Sequence, residues 1–243
     1  PPELLKEKGY DPCHVGKWHL NGHFNSDKQP QPDDHGYNHW MATQNNASPN
    51  HKNPTNFVLN GKPMGRLEGF SAPLVAQEGL RWLVEVRDRK KPFLLSVWTH
   101  EPHLPIESAE EFMKPYAHID DEGIRQHHGN ITQLDHAFGL LMKGLDELGL
   151  RENTIVFFIG DHGRCHIRGK QFLYEAGVRV PLIVRWPKHI KPGSVSSELT
   201  STLDICQTIV KLAAAKPAHE LHGRYLFGED LVKRKYIHFN RDK

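Results

Sequence analysis

Apolar residues along the chain follow two rhythms, short unbroken runs and three-and-four spacings, and the two alternate. Phe93-Leu94-Leu95-Ser96-Val97-Trp98, Thr154-Ile155-Val156-Phe157-Phe158-Ile159 and Pro181-Leu182-Ile183-Val184-Arg185-Trp186 are runs of strand length. Such runs mark strands buried on both faces. Ala76, Leu80, Leu83 and Val84 keep a helical spacing up to the charged run Arg87-Asp88-Arg89-Lys90-Lys91 and Pro92, so a helix is predicted to stop there. Leu134, Phe138, Leu141, Leu145 and Leu148 step by four and three, which predicts a long amphipathic helix closed near Gly149. A short opening helix ended by Gly9, a strand through Cys13-His14-Val15-Gly16, a helix over 204–212 and a last strand over 235–239 complete the series. From 21 to 72 the composition shifts to Pro, Gly, Asn, Asp and His with no period. That stretch predicts one long irregular excursion, anchored by Phe24, Tyr37, Trp40 and Phe57. Strands alternating with helices predict an α/β fold with a mostly parallel, doubly wound sheet flanked by helices, where ligands bind beyond the carboxyl ends of the strands.

Length and charge narrow the function. A chain of 243 residues can bury one substantial core, so a single domain over 1–243 is expected. Basic and acidic residues nearly balance, 31 against 29, so no overall field draws nucleic acid, and any bound anion must be held by a local group of cations. No apolar run approaches the roughly 20 residues that span a bilayer. Cys13, Cys165 and Cys206 are odd in number and widely spaced, which supports neither a disulfide framework nor a zinc knuckle. The eighteen histidines are a rich supply of groups that serve as metal ligand, proton carrier or anion donor near neutral pH.

Four loops at strand ends gather such groups. Gly16-Lys17-Trp18-His19-Leu20 sets an ammonium and an imidazole two residues apart on an extended segment, where they share a face. Thr99-His100-Glu101-Pro102-His103-Leu104-Pro105 has two histidines in a turn stiffened by proline, suited to aiming an acid at a leaving group. Gly160-Asp161-His162-Gly163 offers a carboxylate and an imidazole flanked by glycines, a fitting pair for a cation but too few to enclose one. Arg164-Cys165-His166-Ile167-Arg168-Gly169-Lys170 concentrates cationic groups whose guanidinium forks match tetrahedral oxyanions. Taken singly, each loop also admits a solvated charged turn or a satisfied structural histidine, most readily at Lys17 and His19 and least readily at Asp161 and His162.

The same residues, in the same order, resemble the sulfatases of the alkaline-phosphatase superfamily. Gly9-Tyr10 followed by Val15-Gly16-Lys17-Trp18-His19-Leu20 is similar to that family's Gly-Lys-Trp-His-Leu-Gly signature, with Asn21 in place of the last glycine. The likeness continues through Asp34-His35-Gly36-Tyr37, Glu101-Pro102-His103-Leu104-Pro105, Ile159-Gly160-Asp161-His162-Gly163 and Tyr174-Glu175-Ala176-Gly177-Val178-Arg179-Val180-Pro181. The resemblance implies an alkaline-phosphatase-like fold and hydrolysis of sulfate esters, of a small molecule or a glycan, with calcium and a formylglycine nucleophile. By position, Asp161 and His162 would hold the metal. Lys17 and Lys170 would contact the sulfate, His19 would assist the nucleophile, and His103 would serve the leaving oxygen. His100, Arg164 and Arg168 would contact substrate. The formylglycine precursor, a Cys or Ser in Cys/Ser-x-Pro-x-Arg, does not occur here. A domain lacking its nucleophile segment and its C-terminal region, and therefore inactive by itself, is expected. The family also implies a periplasmic, secreted or lysosomal setting. A phosphoryl hydrolase of the same superfamily and a non-catalytic, truncated anion binder remain alternatives.

Overall fold

A computed structural model describes residues 1–163, 169–228 and 233–239. The chain divides into two compact units, Pro1–Leu148 and Gly149–Lys243.

In the first unit, helix α1 (Pro2–Glu7) leads into strand β1 (Asp11–Lys17), which is buried along almost its whole length. Strand β2 (His39–Thr43) is entirely buried, and the two-residue strands β3 (Val58–Leu59) and β4 (Lys62–Pro63) form a small hairpin. Helix α2 (Ser71–Arg81) runs into a wider turn, Trp82–Val86, and strand β5 (Phe93–Trp98) follows. After the short helix α3 (Glu110–Met113), helix α4 (Glu122–Glu147) closes the unit. The sheet order is β4-β3-β2-β1-β5. Its centre is parallel, with Gly16 of β1 opposite both Ala42 of β2 and Trp98 of β5, and the β3–β4 hairpin adds to β2 antiparallel. The mixed α/β class with a mostly parallel central sheet is the one the sequence predicts.

Packing explains the helices. Ala72 and Ala76 of α2 face Ala137 and Leu141 of α4, with Leu80, Leu95, Val97 and Leu134 filling around them. Small residues let the two helices approach, and the larger side chains seal the margins. Helix α4 begins twelve residues before Leu134, where the apolar spacing starts. Its first turns are polar and are fixed instead by the Asp121 cap, which accepts from the Ile124 amide, and by Gln126, which accepts from the Ser108 amide and hydroxyl.

The second unit contains strand β6 (Val156–Ile159), the one-turn helix α5 (Glu175–Val178), strand β7 (Leu182–Arg185) and helix α6 (Thr202–Leu212). β6 and β7 pair antiparallel. Helix α6 starts on a reciprocal capping box between Ser201 and Asp204.

Three expectations are corrected. The excursion over 21–72 is not wholly irregular, because β2 to β4 lie within it. β2 is buried on both faces and so shows no alternation, and the hairpin strands are too short to have a period. Residues 235–239 form no strand, since among the described residues no strand lies beside them to complete a ladder, and Tyr236 and Phe239 are exposed. Finally, β5 and β6 are half-buried rather than fully buried.

Candidate active site

The first unit assembles a polar site at the carboxyl end of β1. Gly16 has φ of +111°, and a Cβ there would lie 1.9 Å from the Trp98 carbonyl oxygen. Only glycine permits β1 to approach β5 so closely in that conformation, and Lys17, the next residue, ends the strand. Beneath it His14 is fully buried between the rings of Trp18, Tyr37 and Trp98, at centroid distances of 5.2, 5.3 and 4.9 Å. Burial pushes its pKa down to about 3, so His14 is a neutral packing residue that touches the Lys17 carbonyl through Nε2 at 3.2 Å. His19 follows at φ +48°, exposed, its amide donating to the Gln44 carbonyl.

Lys17 and His103 are brought together through Asn46, a member of the amide-rich stretch 43–51 whose composition suggests sugar-hydroxyl binding or a solvated loop rather than this link. The Lys17 ammonium donates to Asn46 Oδ1 at 3.2 Å, and Asn46 Nδ2 donates to the Leu104 carbonyl at 3.0 Å. The same carbonyl accepts from His103 Nδ1 at 2.7 Å. With Nδ1 committed as donor, the neutral ring carries its lone pair on Nε2. Only the fold places Asn46 between the lysine and the histidine.

The turn carrying His103 is bolted to the core from below. Glu101 is buried, and its Oε1 accepts from the Ser71 hydroxyl at 2.7 Å, the Ala72 amide at 2.8 Å and Gln133 Nε2 at 3.2 Å. These bonds tie the turn to the start of α2 and the middle of α4. His100 is 2% exposed and bonded through Nε2 to Thr43 Oγ1 at 2.7 Å. Because the Thr43 hydroxyl donates to the Asn45 carbonyl, His100 must be the donor to it. Burial first, then the neighbouring His51 and Lys17, lower its pKa to about 3. His100 therefore lies beneath the turn, whereas His103 is at its surface.

The second unit places Asp161 and His162 directly beyond β6. Gly163 donates its amide to the Gly177 carbonyl, and a Cβ on it would sit 1.7 Å from the Ala176 carbonyl oxygen, so the turn requires glycine. His162 Nδ1 donates to the Gly163 carbonyl at 2.8 Å, and its Nε2 lies 3.3 Å from Asp161 Oδ2. A carboxylate oxygen and a ring nitrogen thus lie side by side, two atoms of the kind that ligate a divalent cation, although among the described residues no group of three such side chains occurs. Lys170 is half-buried at the turn before α5. Arg164 and Arg168 lie outside the described residues.

Comparison with known proteins adds the family context. The Sulfatase family model matches residues 2–215. The mouse (Mus musculus) N-acetylgalactosamine-6-sulfatase is 31% identical over 95% of this chain and 47% of its own length. An ulvan-active sulfatase of Formosa agariphila is 29% identical over 95% of this chain and 49% of its own. A solved structure concerned with metabolism of multiple glycosaminoglycans by Bacteroides thetaiotaomicron superposes with a TM-score of 0.83 at 26% identity, covering 96% of this chain and 58% of that one. The chain thus spans about half the length of the curated relatives it matches.

Proposed function

This chain belongs to the sulfatase family, and we propose that it forms part of an enzyme that hydrolyses sulfate esters on a glycan. The observation that carries the reading is the hydrogen-bonded series Lys17, Asn46, Leu104 and His103 beyond β1. It joins a fixed positive charge to a proton carrier of defined tautomer. The relatives named for N-acetylgalactosamine-6-sulfate and ulvan support a sulfated glycan as the substrate class.

Each residue has a role that its chemistry permits. Lys17, held by Asn46, neutralises charge that grows on the sulfate oxygens as the S–O bond breaks, and Lys170 does the same. His103, with Nδ1 occupied, exchanges a proton with the leaving oxygen through Nε2. His19, two residues beyond Lys17, serves the nucleophile's side, and Arg164 and Arg168 grip substrate. His100 acts as a neutral prop beneath the turn rather than as a substrate contact. Asp161 and His162 would hold a calcium-class cation together with oxygen ligands outside these residues. Such a cation, when bound, supplies positive charge beside the ester. The formylglycine would derive from a Cys or Ser that these 243 residues do not contain, so they alone would not turn over substrate. A periplasmic, secreted or lysosomal setting accompanies this reading. No described helix is long and apolar enough to cross a membrane.

Calorimetric titration of the chain with inorganic sulfate tests the site. Lys17→Ala should weaken binding about tenfold, equivalent to roughly 1.4 kcal/mol. Unchanged affinity in both Lys17→Ala and His103→Ala would remove the basis of the reading. An aryl sulfate supplied with calcium should give no turnover, and turnover abolished by Lys170→Ala would overturn the assignment of the nucleophile to another segment.

A further inference from the structure

The first unit contains a hollow at the other end of its sheet from Lys17. It encloses about 460 Å³, and its lining includes Asn25, Ser26, Asp33, Asn38, Trp40 and Asn60. Asn38 lies just before β2 and level with Pro12 of β1, to whose carbonyl its amide donates at 2.8 Å. Lys17 is five residues farther along β1, roughly 16 Å at the usual rise per residue. Parallel α/β sheets take ligands beyond their carboxyl ends, where Lys17 is, so this hollow is not an extension of that site.

Three separate segments meet around the hollow, and internal bonds fix each of them. Asn60 donates its amide to the Trp40 carbonyl at 2.9 Å, and its Oδ1 accepts from the Trp40 amide at 2.7 Å. Trp40 is 4% exposed and donates its indole Nε1 to Asp33 Oδ1 at 3.2 Å. Gln31 Nε2 donates to the carbonyls of His23, Ser26 and Gln29, while its Oε1 accepts from the Asn25 amide at 2.8 Å. The loop that carries Asn25 and Ser26 is therefore set before any ligand arrives, which lowers the ordering cost of binding.

The side-chain atoms these bonds leave over define the ligand. Asn38 Nδ2 gives one hydrogen to Asp11 Oδ1 at 2.8 Å, and Asn60 Nδ2 gives one to His39 Nδ1 at 3.2 Å. Each amide nitrogen keeps a second hydrogen. Asp33 Oδ2, Asn38 Oδ1 and the whole side-chain amide of Asn25 have no partner among the described residues. The remainder is thus a mixture of acceptors and donors. Among the described residues no lysine, arginine or histidine lines the hollow. An anion would meet the Asp33 carboxylate with no cation to offset it, and a bare cation would meet the amide N–H groups of Asn38 and Asn60. A hydroxyl both donates and accepts, so a neutral polyol satisfies both kinds of group at once.

We propose that this hollow binds one neutral sugar unit of a glycan through its hydroxyls. Asp33 and Asn38 accept from the hydroxyls, Asn25 and Asn60 donate to them, and the Trp40 indole supplies apolar surface. The volume falls within the range of about 300–1,000 Å³ that ligand pockets occupy. A glycan long enough to reach both this hollow and Lys17 would be held at two places, which raises the effective concentration of its ester at β1. The choice of a sugar among neutral polyols rests on the glycan reading above, whereas the polyol site itself does not.

Nitrogen-15 NMR tests the proposal, because the Trp40 indole N–H already touches Asp33 and reports on the hollow. Galactose, N-acetylgalactosamine, glycerol and calcium chloride are titrated separately. At least one of the two sugars should shift the Trp40 indole signal with a Kd of about 1–10 mM. Asn25→Gly removes the amide while suiting the φ of +52°, and Asp33→Asn keeps an acceptor for Trp40 while removing the charge. Each should weaken the sugar about fivefold or more, and Lys17→Ala should leave it unchanged. The proposal is overturned if neither sugar shifts the signal by about 100 mM, if glycerol acts at the same concentration as the sugars, or if calcium shifts it and the sugars do not. Loss of the sugar response in Lys17→Ala would also overturn it. Should inorganic sulfate binding ignore Lys17→Ala while the sugar still binds here, the β1 reading fails and this one stands.

Discussion

Removing the Glu101 carboxylate should destabilise the first unit and loosen the turn that carries His103. The side chain is 4% exposed, and Oε1 alone accepts three bonds, from Ser71, Ala72 and Gln133. The Ala72 amide lies in the first turn of α2, whose preceding residue, Phe70, supplies no side-chain cap, so the carboxylate serves as the missing cap from a distant loop. Glu101→Ala leaves a buried hydroxyl, a backbone N–H and an amide without their acceptor. Each such loss costs about 1–3 kcal/mol, and since the three share one acceptor a combined effect of roughly 3–5 kcal/mol follows. For a chain of this size that lowers Tm by about 2–4 °C per kcal/mol, some 6–20 °C in all. Glu101→Gln keeps an oxygen acceptor but loses the charge facing the helix start, and should cost about 1 kcal/mol. Urea unfolding followed by circular dichroism gives the stability. Hydrogen exchange at the α2 amides gives the local effect, which should be largest at Ala72 and fade toward Arg81. A Glu101→Ala protein within 0.5 kcal/mol of the parent, or exchange rising uniformly along α2, would refute the capping argument.

Acid should unfold the first unit partly through its buried histidines. His14 and His100 have folded-state pKa values of about 3, below the unfolded value near 6.5, so the unfolded chain binds more protons between those limits and stability falls as pH drops through that window. From pH 6.5 to pH 5 each contributes a loss of about 1.5 kcal/mol, and urea titrations of His100→Gln should show that dependence reduced by one histidine's share. Gly16→Ala should cost at least about 3 kcal/mol, read by urea unfolding, because the positive φ and the approach to Trp98 cannot both persist. Asn46→Ala should weaken inorganic sulfate binding severalfold by calorimetry, since it releases Lys17 from the His103 turn, while leaving the melting temperature nearly unchanged. Any calcium uptake that calorimetry detects should fall in Asp161→Asn, and uptake unaltered by that substitution would place the cation elsewhere.

Local pattern carried many of the elements and named the candidate residues. The runs at Phe93–Trp98 and around β6 and β7 and the helical stretches of α4 and α6 are properties of neighbouring residues. Lys17, His103, Asp161 and Lys170 each lie in a short, ordered motif that can be read without coordinates. What the sequence did not reveal depends on partners far away in the chain. β2 became a strand because β1 and β3 offered it ladders, and residues 235–239, with an equally strand-like composition, did not, no strand lying beside them among the described residues. His100 and His103, three residues apart in one turn, look interchangeable until burial makes one a neutral prop and leaves the other at the surface. Asn46 joins Lys17 to His103, and Asp204 holds Arg234, through hydrogen bonds spanning some thirty residues or more. Hydrophobic periodicity reports which face of an element is buried, but it carries no information about which polar atoms meet across the fold. The candidate groups were therefore named by sequence alone, while their partners and accessibility were decided by the tertiary structure.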